Sequence, residues 1–113
     1  MVAEAVEAAK TLAEAGISAR VINICTIKPL DEELVVKAAK ETGAIVTAEN
    51  HNVTCGLGSV VANCLSRNAP TVQEFVGVQD QFGQVGPQDF LMDEYGLRAA
   101  NIVAAVKKAI ARK

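Results

Sequence analysis

The chain has 113 residues, half of them apolar and four aromatic, with a formal net charge of −2. That length suits one domain with a real core built from Ala, Val, Ile and Leu, and the apolar content sets it apart from disordered chains. The charge balance excludes nucleic acid as the main partner, because phosphate binding needs clustered Lys and Arg, and no apolar run approaches the length of a membrane span.

In chain order, Val2, Ala5, Val6, Ala9, Leu12 and Ala13 recur at helical spacing with Glu4, Glu7 and Glu14 off the stripe, and Gly16 supplies a stop. Ala19 to Cys25, rich in β-branched residues, predicts a strand. Asp31 is an N-cap for a second helix, with Glu32 and Glu33 in its first turn and Leu30 stapling onto Val35; Leu34, Val35, Ala38 and Ala39 point inward and Gly43 ends it. Ala44 to Ala48 is a short, almost wholly apolar strand, as expected of one covered on both faces.

A third helix is predicted from about Leu57, with Val60, Val61, Cys64 and Leu65 inward, broken at Asn68-Ala69-Pro70. Val72 to Val78 predicts a further strand, followed by a loop from Asp80 to Pro87 marked by Gly83 and Gly86. Gln88 to Tyr95 predicts a short helix stopped by Gly96, and Asn101 to Ala111 a last one with Ile102, Val103, Val106 and Ile110 inward. From Arg98 onward there are five basic residues (Arg98, Lys107, Lys108, Arg112, Lys113) and no acid, which suits the negative end of a helix dipole better than a binding patch.

Helices alternating with apolar strands imply a three-layer α/β/α fold with a mostly parallel sheet and right-handed crossovers. The chain opens with a helix that should follow a strand, and three strands are few for five helices. A missing first strand explains both, so residues 1–113 read as one domain, a fragment or C-terminal part of a longer chain.

The densest stretch for chemistry runs from Glu49 to Ser59, where a strand leads through the only histidine, His51, to glycines that open a helix. Working surfaces of α/β domains lie at such carboxyl ends of strands. The three cysteines (Cys25, Cys55, Cys64) form an odd set without a metal-ligand spacing around His51, so no metal site is expected and reduced, cytoplasmic thiols are. No nucleophile-elbow pattern surrounds Ser59, which leaves a hydrolase reading without support. Glu49 and His51 are expected to hydrogen-bond at the strand end, facing a neighbouring domain or subunit, with a purely local turn role as the alternative. Gly56, Leu57, Gly58 and Ser59 could offer backbone N–H groups to a small anion or effector, or serve only where helix and sheet approach closely. They lack a full dinucleotide or P-loop motif. Phe82 is expected to fold onto the core, and Cys55, beside a helix N-terminus, is the thiol whose ionisation would be favoured.

Ile27-Lys28-Pro29-Leu30-Asp31, Thr47-Ala48-Glu49-Asn50-His51, Gly56-Leu57-Gly58-Ser59, Asp80-x-Phe82-Gly83-x-x-Gly86 and Tyr95-Gly96-Leu97 occur in this order. Together they resemble the C-terminal domain of the transketolase family of thiamine-diphosphate enzymes, whose relatives include deoxyxylulose-phosphate synthase and 2-oxoacid dehydrogenase β subunits. The chain departs from the family in starting after its first strand and Thr-Gly or Ser-Gly turn, and in carrying Cys55 where a glycine is common.

The resemblance implies an accessory, dimer-stabilising domain of a cytoplasmic enzyme of carbohydrate metabolism that transfers a two-carbon ketol unit between sugar phosphates. It implies that thiamine diphosphate and Mg²⁺ sit in partner domains, on the same or a separate chain, and that the parent is a homodimer. No catalytic, cofactor or metal residue is expected in this chain, which would be inactive alone. The candidate interface residues are Glu49, His51, Asp80 and Phe82. The alternative function is a regulatory module holding a small anion at Gly56 to Ser59.

Overall fold

A computed structural model describes all 113 residues. Five helices and two strands follow in order: α1 (Val2–Glu14), α2 (Glu32–Thr42), β1 (Ala44–Asn52), α3 (Leu57–Asn68), β2 (Val72–Val78), α4 (Gln88–Glu94) and α5 (Ala99–Ala111). β1 and β2 are parallel, in register from Ala44 opposite Val72 to Ala48 opposite Val76. No helix is long and apolar enough to cross a membrane.

The three-layer arrangement follows from strand alternation. One sheet face packs on α1 and α5, where Ala8, Val76 and Ile102 are buried together with Val46 and Ala48 against them. The opposite face packs on α2 and α3 through Val35, Ala39, Val61, Cys64 and Leu65, with Ile45 joining them. A short strand buried on both sides has no polar face to show, which is why Ala44 to Ala48 reads as an almost wholly apolar run.

Helix ends obey local chemistry. Asp31 caps α2 by accepting from the Leu34 amide at 3.0 Å, and Gly43 closes it in the left-handed region at φ 72°. Gly16, at φ 76°, ends α1 with the Ile17 amide reaching back to the Leu12 carbonyl. The amphipathic stripes are displaced in detail: Ala8 and Ala109 are buried where Val6 and Ile110 were expected, and Val6 and Ile110 are exposed.

One predicted strand does not form. Ala19 to Cys25 lies outside any helix or strand, with Val21 exposed and Ile24 half-buried against the α2–α3 core. A strand exists only through its ladder, and this segment pairs with no other. The sheet therefore has two strands, not three. β1 is also longer than expected, running through Glu49 to Asn52.

The basic C-terminus is not a free dipole complement. Glu74, buried on β2, takes Lys108 Nζ at 2.8 Å and the Arg112 guanidinium, while Lys113 Nζ donates to the Thr42 carbonyl at 2.5 Å. Glu4 of α1 accepts from the Ala99 amide at 2.6 Å and so caps α5 from a distance in sequence. Arg98 joins this corner, donating to Asp93 at 2.7 Å and to Asp89 at 3.1 Å.

The hydrogen bond from Lys108 does most to hold the Glu74 carboxyl below its ordinary 4.5, against the opposing effect of burial and with Arg112 adding to it. A carboxyl lowered on folding stabilises fully above its unfolded value and loses that contribution as pH falls through the lowered one. Glu74→Gln is therefore expected to lower stability by about 1–3 kcal/mol at neutral pH. Its unfolding free energy should also fall less steeply below pH 4.5 than that of the parent chain. Thermal melts of both proteins at stepped pH measure this, and parallel acid profiles would refute it.

Candidate functional site

β1 and β2 lose register at their carboxyl ends. Between the Ala48–Val76 and Asn52–Val78 pairs, β1 takes four steps while β2 takes two. The extra residues make a bulge opposite Gly77, where an added Cβ would lie 2.9 Å from the His51 carbonyl oxygen and 2.8 Å from Val53 Cγ1. Alternation puts Glu49 on the same α3 face as Thr47, and beyond it the irregular stretch leaves His51 exposed.

Glu49 is the centre of the site. Its Oε2 accepts from the Leu57 amide at 2.7 Å and its Oε1 from the Gly58 amide at 2.9 Å. These are first-turn amides of α3, whose N-cap, Gly56, has no side chain to offer them. A buried carboxylate eight residues earlier thus does the work of an N-cap and meets the positive end of the helix dipole. Glycine is required at 56, since a Cβ there would fall 2.0 Å from Glu49 Oε2 and 2.6 Å from the Asn52 carbonyl oxygen. At Gly58 a Cβ would meet Phe75 Cδ1 at 2.4 Å.

The turn itself is closed by short-range bonds. Thr54 N–H donates to Asn52 Oδ1 at 2.8 Å, and Val53 N–H to the Val78 carbonyl at 3.0 Å. Ser59 Oγ accepts from the Cys55 amide at 2.9 Å and donates to the Val53 carbonyl at 3.0 Å. Cys55 stands at φ 64°, a left-handed conformation that glycine adopts without strain.

The structure brings Glu49, Gly56, Leu57, Gly58 and Ser59 together and leaves the other candidates at the rim. His51 Nδ1 lies 4.0 Å from Glu49 Oε2 and 2.9 Å from the Asn52 carbonyl oxygen; that oxygen only accepts, so Nδ1 carries the proton. Asp80, at φ 50°, accepts from Asn52 Nδ2 at 3.0 Å and ties the end of β2 to the end of β1. Phe82 is fully exposed, as is Val85, so the expected anchor on the core is not one. The cause is Tyr95: its hydroxyl accepts from the Gln84 amide at 2.7 Å and donates to the Phe82 carbonyl at 3.1 Å. The loop backbone is thereby tied to the end of α4, and the apolar side chains face out.

Sequence reasoning missed Glu74 and Tyr95. A carboxylate within a mostly apolar strand and a basic last helix with no acid of its own were the available signals for Glu74. Nothing local to Tyr95 marks it.

These groups can position backbone but are poorly suited to bind an added anion, because the Leu57 and Gly58 amides already hold Glu49. The anion-binding reading is not favoured. Nor do the residues present fit thiamine diphosphate or Mg²⁺: no three His, Cys, Asp or Glu side chains converge as metal ligands, and both oxygens of the one buried carboxylate at these strand ends are taken.

The family model for the transketolase C-terminal domain matches residues 1–102. The chain belongs to this family. It is 51% identical over its whole length to a 6-deoxy-6-sulfo-D-fructose transketolase subunit of Clostridium sp. (strain MSTE9), covering 35% of that protein. It is 43% identical, over 96% of its length, to 1-deoxy-D-xylulose-5-phosphate synthase 1 of Geobacter sulfurreducens, covering 17% of that one. Among solved structures, a split-gene transketolase described as an inactive beta4 tetramer superposes with a TM-score of 0.92 at 51% identity. That match takes in 97% of this chain and 36% of the other. The chain thus spans about a third or less of these relatives.

For this transketolase C-terminal domain, Glu49→Ala is expected to strip α3 of two amide acceptors and lower stability by about 2 kcal/mol. Gly56→Ala, which drives a methyl into the same carboxylate, should lower it by at least as much. Denaturant melts decide the matter, and a Gly56→Ala protein as stable as the parent would contradict the geometry.

Proposed function

We propose that this chain is the C-terminal, accessory part of a transketolase whose parent enzyme moves a two-carbon ketol unit between sugar phosphates. In this reading thiamine diphosphate and Mg²⁺ are held by partner domains, on the same or a separate polypeptide, in a cytoplasmic homodimeric enzyme of carbohydrate metabolism. The observation that carries it is a chain with the family's C-terminal fold whose strand-end carboxylate is wholly used inside that fold. The relatives described as a transketolase subunit and as a split-gene transketolase support a partner on a separate chain.

His51, Asp80 and Phe82 remain as the interface of this reading, with Glu49 behind them holding the turn rather than touching the partner. Fully exposed Phe82 and Val85, on a loop braced by Tyr95, support such a contact, because an aromatic side chain in water gains most by being covered.

Two outcomes test the proposal. The purified chain, given thiamine diphosphate, Mg²⁺ and sugar phosphates, should show no turnover, and should acquire it when mixed with the thiamine-diphosphate-binding subunit from the same source. Turnover by the chain alone, or no activity and no co-elution in the mixture, would sink the reading. Phe82→Asp should leave the melting temperature of the isolated chain unchanged, since the ring buries nothing. The same substitution should weaken association with that subunit at least about tenfold, as loss of a buried aromatic anchor does. An unaltered affinity by titration calorimetry would remove the loop from the interface.

A further inference from the structure

Residues 79–97 make an arm with little of itself in the core. Every residue from Gln79 to Phe90 is exposed, and α4 buries none of its own. The arm is fixed at two feet. At the first, Asp80 accepts from Asn52 Nδ2 at 3.0 Å. At the second, Leu97 is buried and Arg98 Nε donates to Asp93 at 2.7 Å, with Nη1 3.9 Å from Glu4 of α1. Between the feet the arm is braced against itself. The Tyr95 hydroxyl bridges the Gln84 amide and the Phe82 carbonyl, and Gln84 Nε2 donates to Glu94 at 3.0 Å. The Phe90 ring lies against Gly86, where an added Cβ would sit 2.8 Å from its Cδ1.

This bracing works against the hydrophobic effect. Gly83 and Gly86 give the loop the freedom to turn its apolar side chains inward, yet Phe82, Val85 and Phe90 are left in water. Hydrogen bonds that hold apolar groups outward lower the ordering cost of covering them later. Charge marks the same segment. It carries Asp80, Asp89, Asp93 and Glu94 and no Lys, Arg or His, in a chain whose net charge is only −2, so the rest of the molecule is net positive. Arg98 answers Asp89 and Asp93, whereas Asp80 and Glu94 meet only the neutral amides of Asn52 and Gln84.

We propose that residues 79–97 are a preformed docking arm whose aromatic rings and unanswered carboxylates seat in an apolar hollow edged by Lys or Arg on the thiamine-diphosphate-binding subunit. Tyr95 is its positioning residue, setting the shape of the loop before contact. The inference rests on the transketolase reading and says what surface the catalytic partner must offer. Rings buried in the hollow supply most of the affinity, while Asp80 and Glu94 meet the basic edge and steer the encounter. A second copy of this chain fits less well, because two copies meeting arm to arm would set like charges together.

The test uses the full chain and the thiamine-diphosphate-binding subunit from the same source, with association followed by titration calorimetry. Tyr95→Phe keeps the ring and removes the hydroxyl. It should speed amide exchange at Gln84 about tenfold and weaken association about three- to tenfold, with the circular dichroism of the folded chain unchanged. Asp80→Asn combined with Glu94→Gln keeps both internal hydrogen bonds and removes two charges. That variant should bind about threefold or more weakly in low salt, and should lose less affinity than the parent chain between about 0.05 and 0.5 M NaCl. A complex that forms, turns over and is unmoved by both variants would overturn the arm and leave the transketolase reading standing. A parent affinity indifferent to salt would overturn the basic edge. Variants that change only self-association of the chain would overturn the proposal in favour of a second copy. No association with the subunit would remove the arm and the reading together.

Discussion

The contact between the Glu49 carboxylate and the first amides of α3 is the constraint around which the working end of this domain is arranged. A helix whose N-cap is glycine begins with orphan N–H groups, and burying them next to a sheet would be unfavourable without an acceptor. Glu49 answers both amides at once, and its own charge, buried against β1, is answered by them and by the helix dipole. Everything nearby bends to that requirement. Alternation along β1 aims the carboxylate, Gly77 leaves room for the bulge that follows it, and Gly56 lets the oxygens approach the backbone.

A similar logic binds the other layer. Glu74 gathers Lys108 and the Arg112 guanidinium from the last turns of α5, and Glu4 caps the start of the same helix. Glu74 and Glu4 each join an element to one far from it in the chain, and Glu49 joins β1 to the helix that follows it. They set helix positions against a sheet of only two strands, which has little ladder of its own to resist sliding. With its polar groups engaged internally, the strand-end surface has little left for small-molecule chemistry. What it shows outward is an imidazole, a braced loop and two uncovered apolar side chains.

Much of the fold was legible in the chain. Val72 to Val78 forms its strand over those very residues, Asp31 and Gly43 bound α2, and the apolar run from Ala44 lies between two helical layers. These features depend on near neighbours: cap chemistry, left-handed glycine, and alternation. Ala19 to Cys25 has the same local signals and no ladder, because a strand needs an adjacent edge and none stands beside it. The site was legible as a place and less so as a device. Glu49, Gly56 and Gly58 were singled out, yet the carboxylate and the helix start were read as two features when they are one.

By itself the sequence determined the family, the order of elements and the position of the polar turn, since these rest on motifs and on periodicities of 3.6 and 2. Only the tertiary structure decided that Glu49 fills the anion position of α3, that Glu74 engages the basic terminus, and that Phe82 points to water. Each of those outcomes depends on a distance between groups on different elements, and such distances come from packing rather than from spacing along the backbone.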